Sequence, residues 1–164
     1  MSTKKIKLIP FSFIMILASF MLIPKVQAQQ PMDMTACGSG TTTTIVASEE
    51  MTIMSVDVKG ICMDNLPSKS FDNMTYHTAG LLTITGGKLA GTLYAKYMDP
   101  SGDFVVIEIS QVGLEYNWKY LSGTGKWKGI TGGGKGITFT RGKPISPGTS
   151  QGCLKITGTY ELKK

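Results

Sequence analysis

Apolar and polar side chains alternate with a period of two along most of the chain beyond about residue 40. No window of a dozen residues places apolar side chains at helical spacing, whereas alternating segments recur between glycine-rich breaks. The pattern therefore predicts an all-β protein. About eight strands are predicted, namely Thr42–Ala47, Thr52–Lys59, Thr75–Thr85, Lys88–Tyr97, Asp103–Ser110, Leu114–Leu121, Lys135–Arg141 and Cys153–Leu162.

The last predicted strand shows most clearly how the two faces differ. Leu154, Ile156 and Tyr160 share one face, whereas Lys155 and Thr157 lie on the other. Strands with one apolar face belong to antiparallel sheets that are solvated on one side. Eight such strands on short connections close most simply into a single antiparallel barrel, which leaves no exposed edge. A two-sheet sandwich is the alternative.

The glycine-rich stretch Gly123–Gly134, GTGKWKGITGGG, precedes Lys135 and approaches the spacing of a phosphate-binding loop. That motif requires Ser or Thr after the lysine, to reach magnesium, and a helix to follow. Here Gly136 and a predicted strand follow instead. We therefore interpret the glycines as a structural corner, where a small barrel turns sharply before its last strand closes it.

Residues 1–28 have the organisation of a secretory signal peptide. Three lysines precede the apolar run Leu8–Ile23, and Val26–Ala28 supplies small residues for cleavage. An uncleaved anchor is the alternative, since the run is nearly long enough to span a bilayer. We expect cleavage after Ala28, a flexible lead-in over residues 29–40 and a barrel domain over residues 41–164. The protein would then be periplasmic or extracellular, without stable membrane insertion.

The net charge of the whole chain overstates the charge of the exported protein. The chain carries 17 Lys and Arg against 11 Asp and Glu, but four of the lysines lie in the signal segment. The remaining 13 basic and 11 acidic residues give a net charge of about +2. No dense basic patch is left, so we expect no nucleic-acid partner.

Three cysteines follow the signal segment, and in an exported protein one pair is expected to be oxidised. Sequence leaves all three pairings open. We favour Cys62–Cys153, because both residues lie beside predicted strands while Cys37 lies in the predicted lead-in.

Candidate catalytic residues are few. His77 is the sole histidine and the acidic residues are scattered, so we expect no metal site and no cofactor. No Ser-His-Asp or Cys-His arrangement can be argued from the spacing. An enzymatic hypothesis has Glu108, Tyr116 and His77 as its candidates, and none of them is marked as catalytic by the sequence alone.

Three aromatic side chains, Tyr116, Trp118 and Tyr120, share one face of a predicted strand. If that face points into the barrel, they could line a ligand cavity, since such pockets are mostly apolar. The alternative is that they simply fill the barrel or cover its outside.

Four segments together resemble the allene oxide cyclase-like barrel proteins, in particular the largely uncharacterised secreted bacterial members. They are Asp99–Asp103 (DPSGD), Gly123–Gly134, Cys153 and Thr157–Leu162 (TGTYEL). The resemblance implies an eight-stranded antiparallel, calycin-like barrel. Its plant relatives include allene oxide cyclases and dirigent proteins, which guide reactive intermediates inside such barrels. Their catalytic residues do not match positions of this chain, so the resemblance assigns none here.

The sequence leaves three functional hypotheses. The first is a non-enzymatic exported barrel that binds a small apolar molecule, which requires an apolar cavity. The second is a cyclase- or isomerase-like, or dirigent-like, enzyme that acts by confining a reactive apolar substrate. The third is a structural or surface-interaction module, which a large apolar patch outside the barrel would favour.

Overall fold

A computed structural model describes residues 28–163 of the 164-residue chain. The predicted signal peptide lies almost entirely outside this range. The described chain forms eight β-strands and a short 3-10 turn, Gly125–Trp127. The strands are β1 Gln30–Ala47, β2 Met51–Asp64, β3 Thr75–Thr85, β4 Lys88–Met98, β5 Phe104–Val112, β6 Glu115–Gly123, β7 Ile130–Arg141 and β8 Thr149–Leu162.

Each strand pairs antiparallel with the next one along the chain, and β8 returns to pair with β1. The sheet is thereby closed, which confirms the predicted antiparallel barrel of eight strands and excludes the sandwich. Side chains alternate between the interior and the solvent, as in β5, where Val105, Ile107 and Ile109 are buried. Residues 28–163 contain no helix long and apolar enough to cross a membrane.

The first strand begins earlier than predicted. Residues 30–40 are part of β1 and not a flexible lead-in. Alternate side chains of this segment, namely Met32, Met34 and Ala36, are buried in the core. This segment also pairs with β2 on one side and β8 on the other, so its Gly, Ser and Thr residues lie in a continuous ladder. The seventh strand likewise begins at Ile130, five residues before the predicted start.

The disulfide joins Cys37 to Cys153, so the predicted Cys62–Cys153 pairing is wrong. Cys37 and Cys153 are direct register partners on β1 and β8, with Cα atoms 4.1 Å apart. Cys62 is fully buried in the barrel interior with a free thiol, and desolvation by burial raises its pKa to about 12. The bridge therefore fastens the first strand to the last across the seam that closes the barrel.

The connections between strands divide the barrel into two ends. The β1–β2, β3–β4, β5–β6 and β7–β8 connections lie at one end, which we call the mouth. The β2–β3, β4–β5 and β6–β7 connections lie at the other end, which we call the floor.

The floor is closed by the loop between β2 and β3 and by the 3-10 turn. Phe71 of the loop stacks on Trp127, with ring centroids 5.0 Å apart, and meets the edge of Tyr160 at 5.2 Å. All three side chains are buried. The buried carboxylate of Asp64 holds the loop, since it accepts hydrogen bonds from the backbone N–H groups of Leu66 and Phe71.

A buried carboxylate, Asp99, fastens the β4–β5 turn to the 3-10 turn. Its Oδ2 accepts a hydrogen bond from Trp127 Nε1 at 3.0 Å and pairs with Lys126 Nζ at 2.8 Å. Its Oδ1 accepts from both the N–H and the hydroxyl of Ser101. Burial alone would raise the pKa of Asp99, but the bonds from Lys126, Ser101 and Trp127 outweigh it and hold the pKa well below its usual range.

Candidate functional site

The mouth half of the barrel is hollow. Its cavity has a volume of about 480 Å³, within the range of small-molecule sites in proteins. Most of the wall is aliphatic or aromatic, and every strand contributes. The apolar lining residues are Met54, Val56, Val58, Tyr76, Leu82, Ile84, Leu89, Leu93, Tyr97, Ile107, Ile109, Tyr116, Trp118, Pro144, Leu154 and Ile156.

The deep boundary of the cavity consists of Tyr97, Ile107, Trp118 and Ile156. These four residues also line a second void of about 10 Å³ on the floor side, so they stand between the two spaces. All four are buried. The cavity is thus a cup that opens at the mouth and ends at these four side chains, which separate it from the void on the floor side.

Glycines on neighbouring strands make room for the largest side chains. Trp118 of β6 faces Gly134 of β7, which in turn faces Gly158 of β8. A Cβ at Gly158 would lie 2.7 Å from Trp118 Cζ2, closer than real contacts allow. A second aromatic is placed in the same way, since a Cβ at Gly60 would lie 2.6 Å from Tyr76 Cε1. The absence of a side chain at Gly158 therefore leaves the space that the indole ring occupies.

The predicted aromatic trio faces the interior, but its members do not share one cavity. Tyr116 and Trp118 line the mouth cavity, whereas Tyr120 lines the small void behind Trp118. The Tyr116 hydroxyl lies 2.7 Å from Thr138 Oγ1 in the cavity wall. The Tyr120 hydroxyl contacts Met32 Sδ at 3.3 Å. A ligand in the cavity could contact the first two directly.

Polar groups of the lining lie mainly toward the mouth. Buried Gln111 donates from Nε2 to the carbonyl oxygen of Gly113 at 2.9 Å, in the β5–β6 turn. Ser150 and Gln151 line the β8 side. Among the lining residues, Arg141 is the single charged side chain, and it lies exposed at the rim.

The deep aromatic hydroxyls stay protonated at physiological pH. Desolvation by burial, reinforced by Cys62 and Tyr116, raises the pKa of Tyr76 to about 12. Burial likewise raises the pKa of Tyr97 and of Tyr120. These shifts are opposite to those that would make a tyrosine a base near neutral pH, so the deep wall of the cavity is electrically neutral.

The two remaining catalytic candidates lie outside the barrel. His77 is exposed on β3, and its Nε2 lies 2.6 Å from Asp57 Oδ2 on the outer face. Glu108 is on the outer face of β5 and pairs with Lys119 Nζ at 2.7 Å. Strand alternation separates both from the cavity. Residues 28–163 also contain no cluster of three His, Cys, Asp or Glu side chains that could hold a metal.

Exposed apolar side chains surround the mouth. They lie on three of the four connecting turns or on the strand ends beside them. They are Ile45, Val46, Met51, Val112, Leu114, Phe139 and Ile145.

Several cavity residues could not be assigned from the sequence. The sequence does not mark Gln111 or Arg141, because a lone polar residue near a strand end has no spacing signature. The glycines opposite Tyr76 and Trp118 could not be assigned either, because Gly60 and Gly134 lie just outside the predicted strands Thr52–Lys59 and Lys135–Arg141.

Comparison with solved structures finds barrels of the dirigent type. The pterocarpan synthase dirigent protein GePTS1 matches 84% of this chain and 93% of its own, with a TM-score of 0.54 and 9% identity. The pterocarpan synthase dirigent protein PsPTS1 matches 84% of this chain and 97% of its own, with a TM-score of 0.50 and 10% identity. No family model and no curated protein sequence matches the chain.

At this identity the likeness shows the fold and no more. The chain has a dirigent-type barrel, which confirms that part of the predicted resemblance. The likeness to allene oxide cyclases and to secreted bacterial proteins stays a prediction.

Proposed function

We propose that this protein is an exported binding protein that holds a small apolar molecule in the mouth cavity. The observation that carries the proposal is the cavity itself, about 480 Å³ of space with a mainly apolar lining. Protein interiors are otherwise close-packed, and a barrel of eight strands is wide enough to hold one small ligand where side chains do not fill it.

The chemistry of the lining favours a neutral apolar ligand body. No Asp, Glu or His lines the cavity among the residues described, and the deep tyrosines carry raised pKa values. Apolar contacts contribute roughly 25 cal/mol for each Å² removed from water. The ligand would therefore gain most of its affinity from burial, and few hydrogen bonds would fix its orientation.

Export is the second part of the proposal. The Cys37–Cys153 disulfide supports it, because such bonds persist in oxidising compartments and are rare in the cytosol. The signal-like segment at residues 1–28 agrees with it. We include in the proposal a relationship to the secreted allene oxide cyclase-like proteins.

An enzyme that works by confinement is the alternative. The two solved structures above are named as pterocarpan synthase dirigent proteins. In this chain, the hydroxyl pair of Tyr116 and Thr138 is a polar feature of the wall that could orient a reactive intermediate. If the alternative holds, Tyr116→Phe would lower turnover of a confined substrate while leaving its binding largely unchanged.

The binding proposal can be tested with anilinonaphthalene sulfonate, a dye that fluoresces in apolar sites. We expect wild-type protein to bind it with a stoichiometry of one, and Val56→Trp to abolish binding by filling the cavity. Leu81→Trp is the matched control, since it adds an indole to the exposed face of the neighbouring strand. Equal binding by wild type and Val56→Trp would place the dye elsewhere and contradict the proposal. Native mass spectrometry of the purified protein would reveal any ligand that it retains.

A further inference from the structure

Trp118 separates the mouth cavity from the small void on the floor side, and this position suggests how the site would select ligands by length. We infer that Trp118 sets the depth of the binding site, and therefore the longest apolar chain that the cavity accepts. This inference rests on the proposed binding function and adds a specificity-determining residue to it.

Trp118 lies at the boundary itself. It lines both the 480 Å³ cavity and the 10 Å³ void behind it. The side chain is buried, with 6% of its surface exposed. Tyr97, Ile107 and Ile156 share the boundary, but the indole ring is the largest group there.

The indole ring is fixed in this position by contacts on several sides. Gly158 leaves the space that the ring occupies, because a Cβ at that position would lie 2.7 Å from Trp118 Cζ2. Trp118 Nε1 donates to the carbonyl oxygen of Lys135 at 3.3 Å. Tyr120 meets the ring edge to face at 5.1 Å. A ligand therefore cannot push the ring aside without breaking a hydrogen bond and an aromatic contact.

The space behind Trp118 suits a hydrocarbon chain. Met32, Met34 and Phe71 line it on the floor side. Methionine side chains are flexible and adapt to irregular gaps. Removing the indole would join its own volume to this void and extend the apolar cup toward the floor.

The polarity of the cavity gives the ligand an orientation. Arg141 and Gln151 lie at the mouth, whereas the deep boundary is aliphatic and aromatic. A molecule with one polar end would keep that end at the mouth and direct its apolar end toward Trp118. Chain length would then be measured from the rim to the indole.

Straight-chain primary alcohols from hexanol to hexadecanol test this inference, with binding measured by calorimetry. Burial of each methylene contributes about 0.8 kcal/mol, so affinity should rise about fourfold with each added carbon. In wild-type protein we expect the rise to stop once the chain reaches Trp118. In Trp118→Ala the rise should continue for several more carbons, and in Trp118→Phe for fewer.

Leu89→Ala is the control, because Leu89 lines the mouth cavity but not the deeper void. It should widen the cup and leave the length limit unchanged. Circular dichroism and thermal unfolding would establish that each variant is folded. If Trp118→Ala does not fold, Trp118→Phe carries the test, because it retains an aromatic ring in the glycine seat.

The outcomes distinguish the inference about Trp118 from the proposed binding function. A wild-type length limit that moves in the Trp118 variants and not in Leu89→Ala supports the inference. A limit that is the same in wild type and in the folded Trp118 variant overturns the inference and leaves the binding function intact. If neither alcohols nor the dye bind wild-type protein, the proposed function is wrong and the inference falls with it.

Discussion

The floor and the mouth of this barrel are built from the same eight strands, yet one is filled and the other is hollow. At the floor, Phe71, Trp127 and Tyr160 pack together beneath a loop that folds over the barrel end. At the mouth, inward positions carry smaller side chains such as Val56 and Gly136, and the connecting turns leave the opening uncovered. The size of the inward side chains, combined with what covers each end, decides whether a barrel of fixed strand number is a solid core or a container.

The ends also differ in how their polar groups are used. The floor holds a buried, ionised Asp99 whose oxygens are fully engaged in joining two turns. At the mouth, the one charged residue that lines the cavity, Arg141, lies in solvent at the rim. The floor therefore contributes stability, whereas the mouth carries the energetic cost of an unfilled interior.

Both ends depend on the seam between β1 and β8, so its disulfide should give the largest effect. The bridge closes a loop with a sequence separation of 116, and the chain-entropy model assigns such a crosslink about 4–5 kcal/mol. We expect the double variant Cys37→Ser, Cys153→Ser to lose about that much free energy of unfolding, measured by urea denaturation. Cys62→Ala is the control for thiol removal and should retain the bridge. An unchanged stability in the double variant would show that the ladder alone closes the barrel.

Matched isoleucines compare the two ends directly. Ile130 is buried at the floor, where its replacement by alanine leaves a void and should cost about 3 kcal/mol. Ile84 is half-buried at the mouth, where Ile84→Ala enlarges an existing cavity and should cost about 1 kcal/mol. Equal losses in urea denaturation would mean that the mouth is packed as tightly as the floor.

The Asp99 carboxylate should make the stability of the floor depend on acid. Its pKa is lowered in the folded protein, so its contribution is complete above the unfolded value of about 3.9. The contribution is lost progressively as the pH falls from there toward the lower folded pKa. Asp99→Asn should cost about 2 kcal/mol at neutral pH, the scale of hydrogen bonds to a charged group. In Asp99→Asn, the free energy of unfolding should also fall less than in wild type as the pH is lowered from neutral to acidic values.

Asp57→Asn is the control for this effect, because Asp57 lies exposed on the outer face beside His77. It should leave the thermal midpoint at neutral pH nearly unchanged. A wild-type acid profile that survives in Asp99→Asn would assign the acid sensitivity to other carboxylates.

The fold could be predicted because strand alternation is local. The predicted segment Thr75–Thr85 matches β3 at both ends. Its alternating side chains and the Gly86-Gly87 turn that follows are both local sequence signals. The start of β1 could not be predicted in this way, because its small residues form a strand only through pairing with both β2 and β8. Closure itself, which makes β1 and β8 neighbours, also places Cys37 opposite Cys153.

The site was less accessible to sequence reasoning. The face of Tyr116 and Trp118 could be predicted from alternation, but their different roles depend on how deep each lies in the barrel. His77 and Glu108 lie on the outer face, and pairing register determines their partners there. The cavity is formed by residues from all eight strands together, so no single segment of the sequence predicts it.

A crystal structure determined under xenon pressure tests the difference between the two ends most directly, because xenon enters apolar cavities without needing a specific ligand. We predict xenon in the mouth half, bounded at its deep side by Trp118, and none between Phe71, Trp127 and Tyr160. Side chains that fill the mouth half, or xenon bound at the floor instead, would contradict the account.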